Sequence, residues 1–401
     1  MEPNQLPSND QKALRIAWLI KGNDAGGVAQ TIRGLMSAVR IHNIEPVAIS
    51  LRDGPMVETL RGIKLPVRVL PLDPPPTLHG NLLIRAGIYS EIRRRVRALV
   101  PPVLQAVRQE KADAVHVLRQ NLCPIAGAVA RQMGLPCFWE MTSAMSKYPL
   151  NINRRIVQRQ LQRDNVTVLA NSRYSAQSLG DHPVKPILLY PGADPDRFNP
   201  DRVRPVSRVE LDIPEDALVL GMLARLNADK GQGLVLQAMA SLVPEFKQLH
   251  LLLAGHWVDD SYVLKLRLLA ESLRVTNRLH ILKNLPDPER YFGVMDLPIS
   301  ALPTPEAFGL SIVEAMMMDR PVLVHALGGP AEIVIDGVTG WHVNKPTVEA
   351  FRAGIKRALA DRPRWPQMGA TARQLAMDQF NLHRQAAEYA AIVRQKINGE
   401  K

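Results

Sequence analysis

The sequence predicts an α/β protein built from two doubly wound, parallel-sheet units. Three observations lead there. Apolar runs of strand length alternate with helix-spaced apolar patterns along the 401-residue chain, the order expected of parallel strands joined by crossover helices. A proline-rich segment, residues 191–200, interrupts the alternation near the middle and reads as a linker. The charge divides at the same place. Residues 1–190 carry 25 Lys and Arg against 13 Asp and Glu, residues 191–401 carry 25 of each, and so the whole net charge of +12 lies in the first half. A chain of this length suits two or three domains. A composition of 46% hydrophobic and 22% charged residues excludes a disordered, collagenous or disulfide-framework protein.

The elements follow in order. Leu14–Ile20 is an apolar run of strand formers. A glycine-containing loop, Lys21–Gly27, follows, and then Ile32, Leu35, Met36 and Val39 at helical spacing. Val47–Leu51 and Val67–Leu70 read as further strands, and the prolines of Pro71–Pro76 exclude a helix there. Ile84–Leu104 reads as a basic helix, and Ala114–Leu118, Cys137–Met141 and Val166–Ala170 as later strands. In the second half the expected strands are Leu218–Ala224, Leu249–Ala254, His280–Leu282, Leu297–Ala301 and Pro321–His325, with a last helix at Leu382–Ile397. The expected divisions are 1–190, 191–375 and a closing segment 376–401. Ligands of such sheets sit beyond the carboxyl ends of the strands.

Two cysteines, Cys123 and Cys137, form no disulfide scaffold and fit a reducing compartment. The first residues are polar and lack the apolar stretch of a signal peptide. No run approaches the roughly 18 apolar residues of a membrane span. The expected location is therefore the cytoplasm.

The stretch richest in chemistry is Pro305-Glu306-Ala307-Phe308-Gly309-Leu310-Ser311-Ile312-Val313-Glu314. A helix starting near Gly309 or Leu310 would present free N–H groups, an anion-binding corner, next to Glu306. Glu314 would lie one to two turns into that helix. Either glutamate could equally be a surface carboxylate. Upstream, Arg225 follows a strand and Lys230-Gly231 precedes a helix. Two cations at a strand-to-helix turn suit a diphosphate, although a solvated basic turn has the same appearance.

Taken in order, Arg225…Lys230-Gly231, Glu306-Ala-Phe-Gly-Leu…Glu314-Ala-Met and Gly328-Gly329-Pro330-Ala331-Glu332…Gly337…Thr339-Gly340 resemble glycosyltransferase family 4. Tyr190-Pro191-Gly192, Asn171-Ser172 and Gly26-Gly27-Val28 extend the resemblance over nearly the whole chain. It implies the GT-B fold, two Rossmann-like domains facing across a cleft, with the C-terminal helix packed back on the first. It also implies a retaining transferase that moves a hexose-type sugar from a nucleotide-sugar donor to a glycan or lipid-linked acceptor, with no metal and no cofactor. By that similarity Arg225 and Lys230 bind the donor diphosphate and stabilise the leaving phosphate. Glu306 and the backbone of Phe308, Gly309 and Leu310 hold the donor sugar, and Glu314 holds the ribose hydroxyls. Gly26 and Gly27 approach the phosphates, and Lys283 to Leu285 border the base. Where many members carry a histidine, this chain has Thr142. Glu140 and His116 resemble residues found in some members and are, with Thr142, the acceptor-side candidates. A phosphorylase, a sucrose-type synthase and a sugar-nucleotide-binding protein without transfer activity are the alternatives.

Other signals are set aside. Asp194-Pro195-Asp196 spells a metal-binding triplet of a different transferase fold, but it lies in the linker. Asp259-Asp260 is a polar loop, and Lys230-Gly231-Gln232-Gly233 lacks P-loop spacing.

The basic excess concentrates in two stretches. Arg85, Arg93, Arg94, Arg95 and Arg97 are interleaved with Ile88, Ile92 and Val96. Arg154, Arg155, Arg159 and Arg163 are interleaved with Ile152, Ile156 and Leu161. Such helices suit either a core face with a solvated charged side or an anionic membrane surface. Aromatic residues, 5% of the chain, are not interleaved with these arginines, so nucleic acid is not an expected partner. The expected acceptor is acidic or lies in an anionic membrane, with the protein peripheral on its inner face.

Overall fold

The computed structural model describes residues 12–24, 27–76, 82–145, 152–256, 260–283, 285 and 287–399. The chain forms two compact units, Met1–Tyr190 with Leu382–Lys401, and Pro191–Asn381. The second division falls after Asn381 rather than after residue 375. Phe380 is the reason. It is buried, its ring meets Phe308 edge-on at 5.8 Å, and its carbonyl accepts a 2.9 Å bond from the Ala193 N–H.

In the first unit, β1 (Leu14–Ile20), β2 (Ile44–Ser50), β3 (Val67–Val69), β4 (Ala114–Val117), β5 (Cys137–Met141), β6 (Val166–Ala170) and β7 (Ile187–Leu188) form one sheet. Its order is β3-β2-β1-β4-β5-β6-β7, and every pair is parallel. Successive residues of a strand point to opposite faces. Val115, Val117, Cys137, Trp139 and Met141 therefore join the core that also holds Leu99, Val103 and Val107 of the basic helix. Ala114 and Phe138 face the other core, with Trp18, Leu35 and Tyr389. The last helix, Leu382–Ile397, completes that second core with fully buried Ala386, Tyr389 and Val393. Arg394 anchors it by donating to the His42 carbonyl at 2.8 Å.

The basic helix runs over Leu82–Gln109, longer than expected, and continues through Pro101 and Pro102. Those prolines have no N–H to return to the preceding turn. Burial of Leu99, Val100, Val103, Ala106 and Val107 on both sides of them outweighs the lost bonds.

In the second unit, β8 (Leu218–Leu223), β9 (Leu249–Gly255), β10 (Leu279–Lys283), β11 (Leu297–Ser300), β12 (Val322–His325) and β13 (Gly340–Val343) form a parallel sheet in the order β10-β9-β8-β11-β12-β13. Strand order reverses between β1 and β4 in the first sheet and between β8 and β11 in the second. At such a point the two loops leave in opposite directions and open a crevice. Among the described residues, no helix is long and apolar enough to cross a membrane.

Candidate functional site

The crevice of the second unit gathers several of the sequence-predicted residues. The loop after β8 carries Arg225 and Lys230; the loop after β11 carries Glu306 to Gly309. Gly231 brings the two loops together. Its φ of +78° is left-handed, and a Cβ there would stand 2.1 Å from the Ala301 carbonyl oxygen, a separation no side chain allows. Lys230, next to it, is half-buried, and its charge reaches Glu306 strongly enough to oppose the effect of burial on that carboxyl. Burial dominates, and Glu306 is raised above the ordinary carboxylate range.

Glu306 is held through its backbone. It forms a parallel bridge with Gly328, donates to the Leu327 carbonyl at 3.3 Å and accepts from the Gly329 N–H at 2.8 Å. Gly329 lies so close to the loop that a Cβ on it would be 2.4 Å from the Phe308 Cα. Gly309 then turns the chain at φ +113° into the helix Leu310–Met317. The position of a Cβ on Gly309 would be 3.5 Å from Glu306 Oε2, which fixes the carboxylate beside the first turn. Phe308 is buried and sets the loop by its contact with Phe380. The arrangement can hold an anion against the N–H groups of Leu310 and Ser311, with a cation on one side and an acceptor carboxylate on the other.

Arg225 is exposed, but its backbone is fixed by Gln232. That side chain is fully buried, donates to the Arg225 carbonyl at 2.8 Å and accepts from the Tyr262 hydroxyl at 3.2 Å. Sequence reasoning passed over Gln232, because a glutamine at the start of a helix carries no signal of its own.

Glu314 sits deeper in the helix. Burial pushes its carboxyl up to about 7, Arg197 opposes that and Glu289 adds to it. Arg197 and Glu289 are themselves paired at 2.9 Å. The charged neighbours of Glu314 are thus this pair, a second feature the sequence did not announce. Lys283 ends β10 and Leu285 follows it, two strands from β8, about 10 Å across the sheet at ordinary strand spacing. Lys283 lies 3.9 Å from Asp260. Leu285 is half-buried.

The triplet Asp194-Pro195-Asp196 makes a turn. Asp194 Oδ1 accepts from the backbone N–H of Asp196 and of Arg197, and Asp196 pairs with Arg202 at 2.8 Å. Asp259 lies outside the described residues. Among those described, no group of three or more His, Cys, Asp and Glu is arranged to hold a metal ion.

In the first unit, Gly26 lies outside the described residues, and Gly27 opens the helix Gly27–Ala38 after β1. The acceptor-side candidates separate. Thr142 lines a cavity of about 1560 Å³, together with Trp139 and Leu118. His116 and Glu140 do not line it, and both are fully buried. Strand alternation turns them to the face opposite Trp139, whereas Leu118 and Thr142 lie just past the ends of β4 and β5. On that face the His116 ring stacks on Trp18 with centroids 3.8 Å apart, and its Nδ1 meets the Tyr389 hydroxyl at 3.0 Å. Its Nε2 lies 3.5 Å from Glu140 Oε2. Burial lowers the imidazole pKa and Glu140 opposes that. His116 ties the last helix to the first sheet through Tyr389, Glu140 lies beside it, and both are corrected from acceptor-side to core positions. Cys123 and Cys137 are free, and burial pushes both thiols up.

Comparison with known proteins identifies the family and the fold. Residues 203–375 match the family model described as glycosyl transferases group 1, and residues 26–192 that described as glycosyl transferase 4-like domain. A D-inositol 3-phosphate glycosyltransferase of Streptomyces scabiei is 30% identical over 336 residues, 74% of each chain. Another protein of that name, from Corynebacterium glutamicum, is 30% identical over 276 residues. The match covers 64% of this chain and 64% of the length of that relative. Among solved structures, Anabaena Alr3699/HepE in complex with UDP and glucose superposes with a TM-score of 0.77 at 21% identity, covering 95% of this chain and 99% of its own. At that identity the likeness is one of fold.

Proposed function

We propose that this chain, which belongs to the family 4-like glycosyltransferases with the GT-B fold, transfers a hexose-type sugar from a nucleotide-diphosphate sugar to an acceptor hydroxyl. The observation that carries the reading is the meeting of Lys230, Glu306 and the first turn of the Leu310–Met317 helix at the crevice between β8 and β11.

The chemistry follows from those groups. Departure of a nucleoside diphosphate builds negative charge on the leaving phosphate. Fixed N–H dipoles and the Lys230 ammonium stabilise that charge without having to reorganise, and Arg225 adds a second cation. The Glu306 carboxylate accepts hydrogen bonds from donor-sugar hydroxyls beside the helix start. Glu314 holds the ribose hydroxyls. In this reading the charge is met by protein groups without a metal. The reaction retains the anomeric configuration, with the leaving phosphate accepting the proton of the acceptor hydroxyl.

The test is release of nucleoside diphosphate from UDP-, GDP-, ADP- and TDP-sugars in the presence of candidate acceptors, with and without EDTA. One donor is expected to turn over, at a rate the chelator leaves unchanged and with retained configuration by NMR. Lys230→Ala or Glu306→Ala is expected to remove transfer from a folded protein. Near-full activity in either variant sinks the assigned roles, and dependence on free phosphate would instead identify a phosphorylase.

A further inference from the structure

Behind the cations of the second crevice lies a buried polar support. Arg225 is exposed and has no ion-pair partner among the described residues, so its main chain sets where the guanidinium starts. Three bonds hold that main chain. The Ala224 N–H donates to the Ala254 carbonyl at 3.0 Å, and the Leu226 N–H donates to the His256 carbonyl at 2.9 Å. Both ties run to the end of β9, where a Cβ on Gly255 would stand 2.0 Å from the Ala224 oxygen. The third bond comes from Gln232, which takes the Arg225 carbonyl. A carbonyl can only accept, so the Gln232 amide nitrogen must face it. The amide oxygen is then left for the Tyr262 hydroxyl, which donates. Tyr262 stands on the helix Asp260–Ser272 that follows β9. Its hydroxyl oxygen also accepts from the Gly233 N–H, a donor in the first turn of the helix Gln232–Leu242 with no partner inside that helix. Burial raises the phenol above its ordinary range; that N–H opposes the effect and Asp229 adds to it. The hydroxyl therefore keeps the proton it donates at neutral pH. Gln232 is fully buried. Leucine would fill similar space without removing an amide from water, so the two hydrogen bonds are what glutamine adds at this position.

A buried polar group whose partners are all satisfied holds its neighbours in one arrangement. Taking the glycosyltransferase reading as its basis, we propose that Gln232 is a positioning residue for the donor diphosphate: it acts through Arg225, and Tyr262 acts through Gln232. Neither side chain touches the donor. Gln232 fixes the point from which Arg225 leaves the main chain, and Arg225 meets the outer phosphate of the nucleoside diphosphate. Lys230 is held separately, by the approach of Gly231 to Ala301, so the two cations have independent supports. Loss of the Gln232 bond frees the Arg225 main chain and leaves the Lys230 support in place.

The test is calorimetric binding of UDP, GDP, ADP and TDP, each beside its monophosphate, to the full chain. For the base that binds best, the ratio of the two affinities reads the hold on the outer phosphate alone and needs no acceptor. Wild type is expected to prefer the diphosphate at least about 100-fold, about 10-fold for each cation. Arg225→Ala is expected to cut that preference about 10-fold, Gln232→Leu about 5-fold and Tyr262→Phe about 3-fold. Monophosphate affinity is expected to stay within about 2-fold of wild type in all three. In the Arg225→Ala background Gln232→Leu is expected to change the preference less than about 2-fold, whereas in the Lys230→Ala background it keeps its full effect. A monophosphate affinity that falls in step with the diphosphate marks a merely structural role and overturns the proposal. So does an unchanged ratio in Gln232→Leu, or a loss that adds in full to that of Arg225→Ala. Should Gln232→Leu fail to fold, Tyr262→Phe runs the same cycle with Gln232 in place, and its loss must vanish in the Arg225→Ala background. A wild type that binds none of the four nucleoside diphosphates removes the glycosyltransferase reading and the proposal with it; nucleotide binding with additive losses removes the proposal alone.

Discussion

The two crevices place charge by different means. In the second unit the cations are few, and backbone geometry positions them. Gly231 lies against Ala301, Gly329 against Phe308, and Gln232 grips the Arg225 carbonyl. In the first unit the cations are many, and they project from helix faces with little holding them. Arg93, Arg97 and Arg159 are exposed and lack ion-pair partners among the described residues. A site fixed by close backbone approach tolerates almost no change at its glycines. A site assembled from long, independent side chains loses affinity by degrees. On the function proposed above, the first arrangement suits a donor whose diphosphate never changes.

The contrast can be broken at four positions, in falling order of effect. Lys230→Ala is expected to lower transfer about 10²–10³-fold, the range for removing one fixed transition-state charge partner; steady-state kinetics with saturating acceptor would check it, and a loss below about 10-fold would mean that the second crevice is no more exacting than the first. Gly329→Ala forces a Cβ into the Phe308 backbone and is expected to cost roughly 3 kcal/mol or more. In calorimetry the loss should appear in the transition of the second unit and leave that of the first in place; a shift in the first transition instead would contradict the division at residues 190 and 381. Tyr389→Phe removes the hydroxyl bonded to His116 and is expected to cost about 1 kcal/mol, this time in the transition of the first unit.

Glu314 gives the smallest effect and a sign that can be checked. Its carboxyl is raised in the folded state to about 7, so the native protein holds a proton that the unfolded chain has released. That contribution is full below the ordinary carboxylate value and is lost as pH rises through about 7. Melting temperature is therefore expected to fall as pH rises from about 4.5 to about 7 and to level off above it, and Glu314→Gln is expected to flatten the slope. An unchanged slope in the variant would move the titration to another group.

Much of the fold was legible in the sequence. The strands β1, β5 and β6 and the last helix carry long apolar signals, and their bounds agree with the expected ones. β7, with two residues, is too short to separate from loop by composition, and in β13 Gly340 and His342 break the apolar run that marks the other strands. In the second crevice, nearness of Lys230 and Glu306 in space follows from the strand order β8-β11, which no local pattern reveals. His116 and Glu140 show the opposite case. Their residue types suggested chemistry, but the period of two in β4 and β5 that puts Trp139 on the cavity side puts Glu140 on the other. Gln232 and the Arg197–Glu289 pair were invisible because their roles depend on partners distant in the chain or on backbone atoms.

The return of Leu382–Ile397 to the first unit has a consequence for biosynthesis. The second unit is one continuous stretch, Pro191–Asn381, and can close as soon as it has left the ribosome. The first unit cannot. Trp18, His116 and Phe138 wait, that face of their sheet covered only in part by the early helices, until Tyr389 has been made about 200 residues after the rest of their own unit. The half translated first is thus the half completed last. A released chain whose last helix has not yet docked would combine a finished second unit with a first one still open along part of its apolar face, the state most in need of a chaperone.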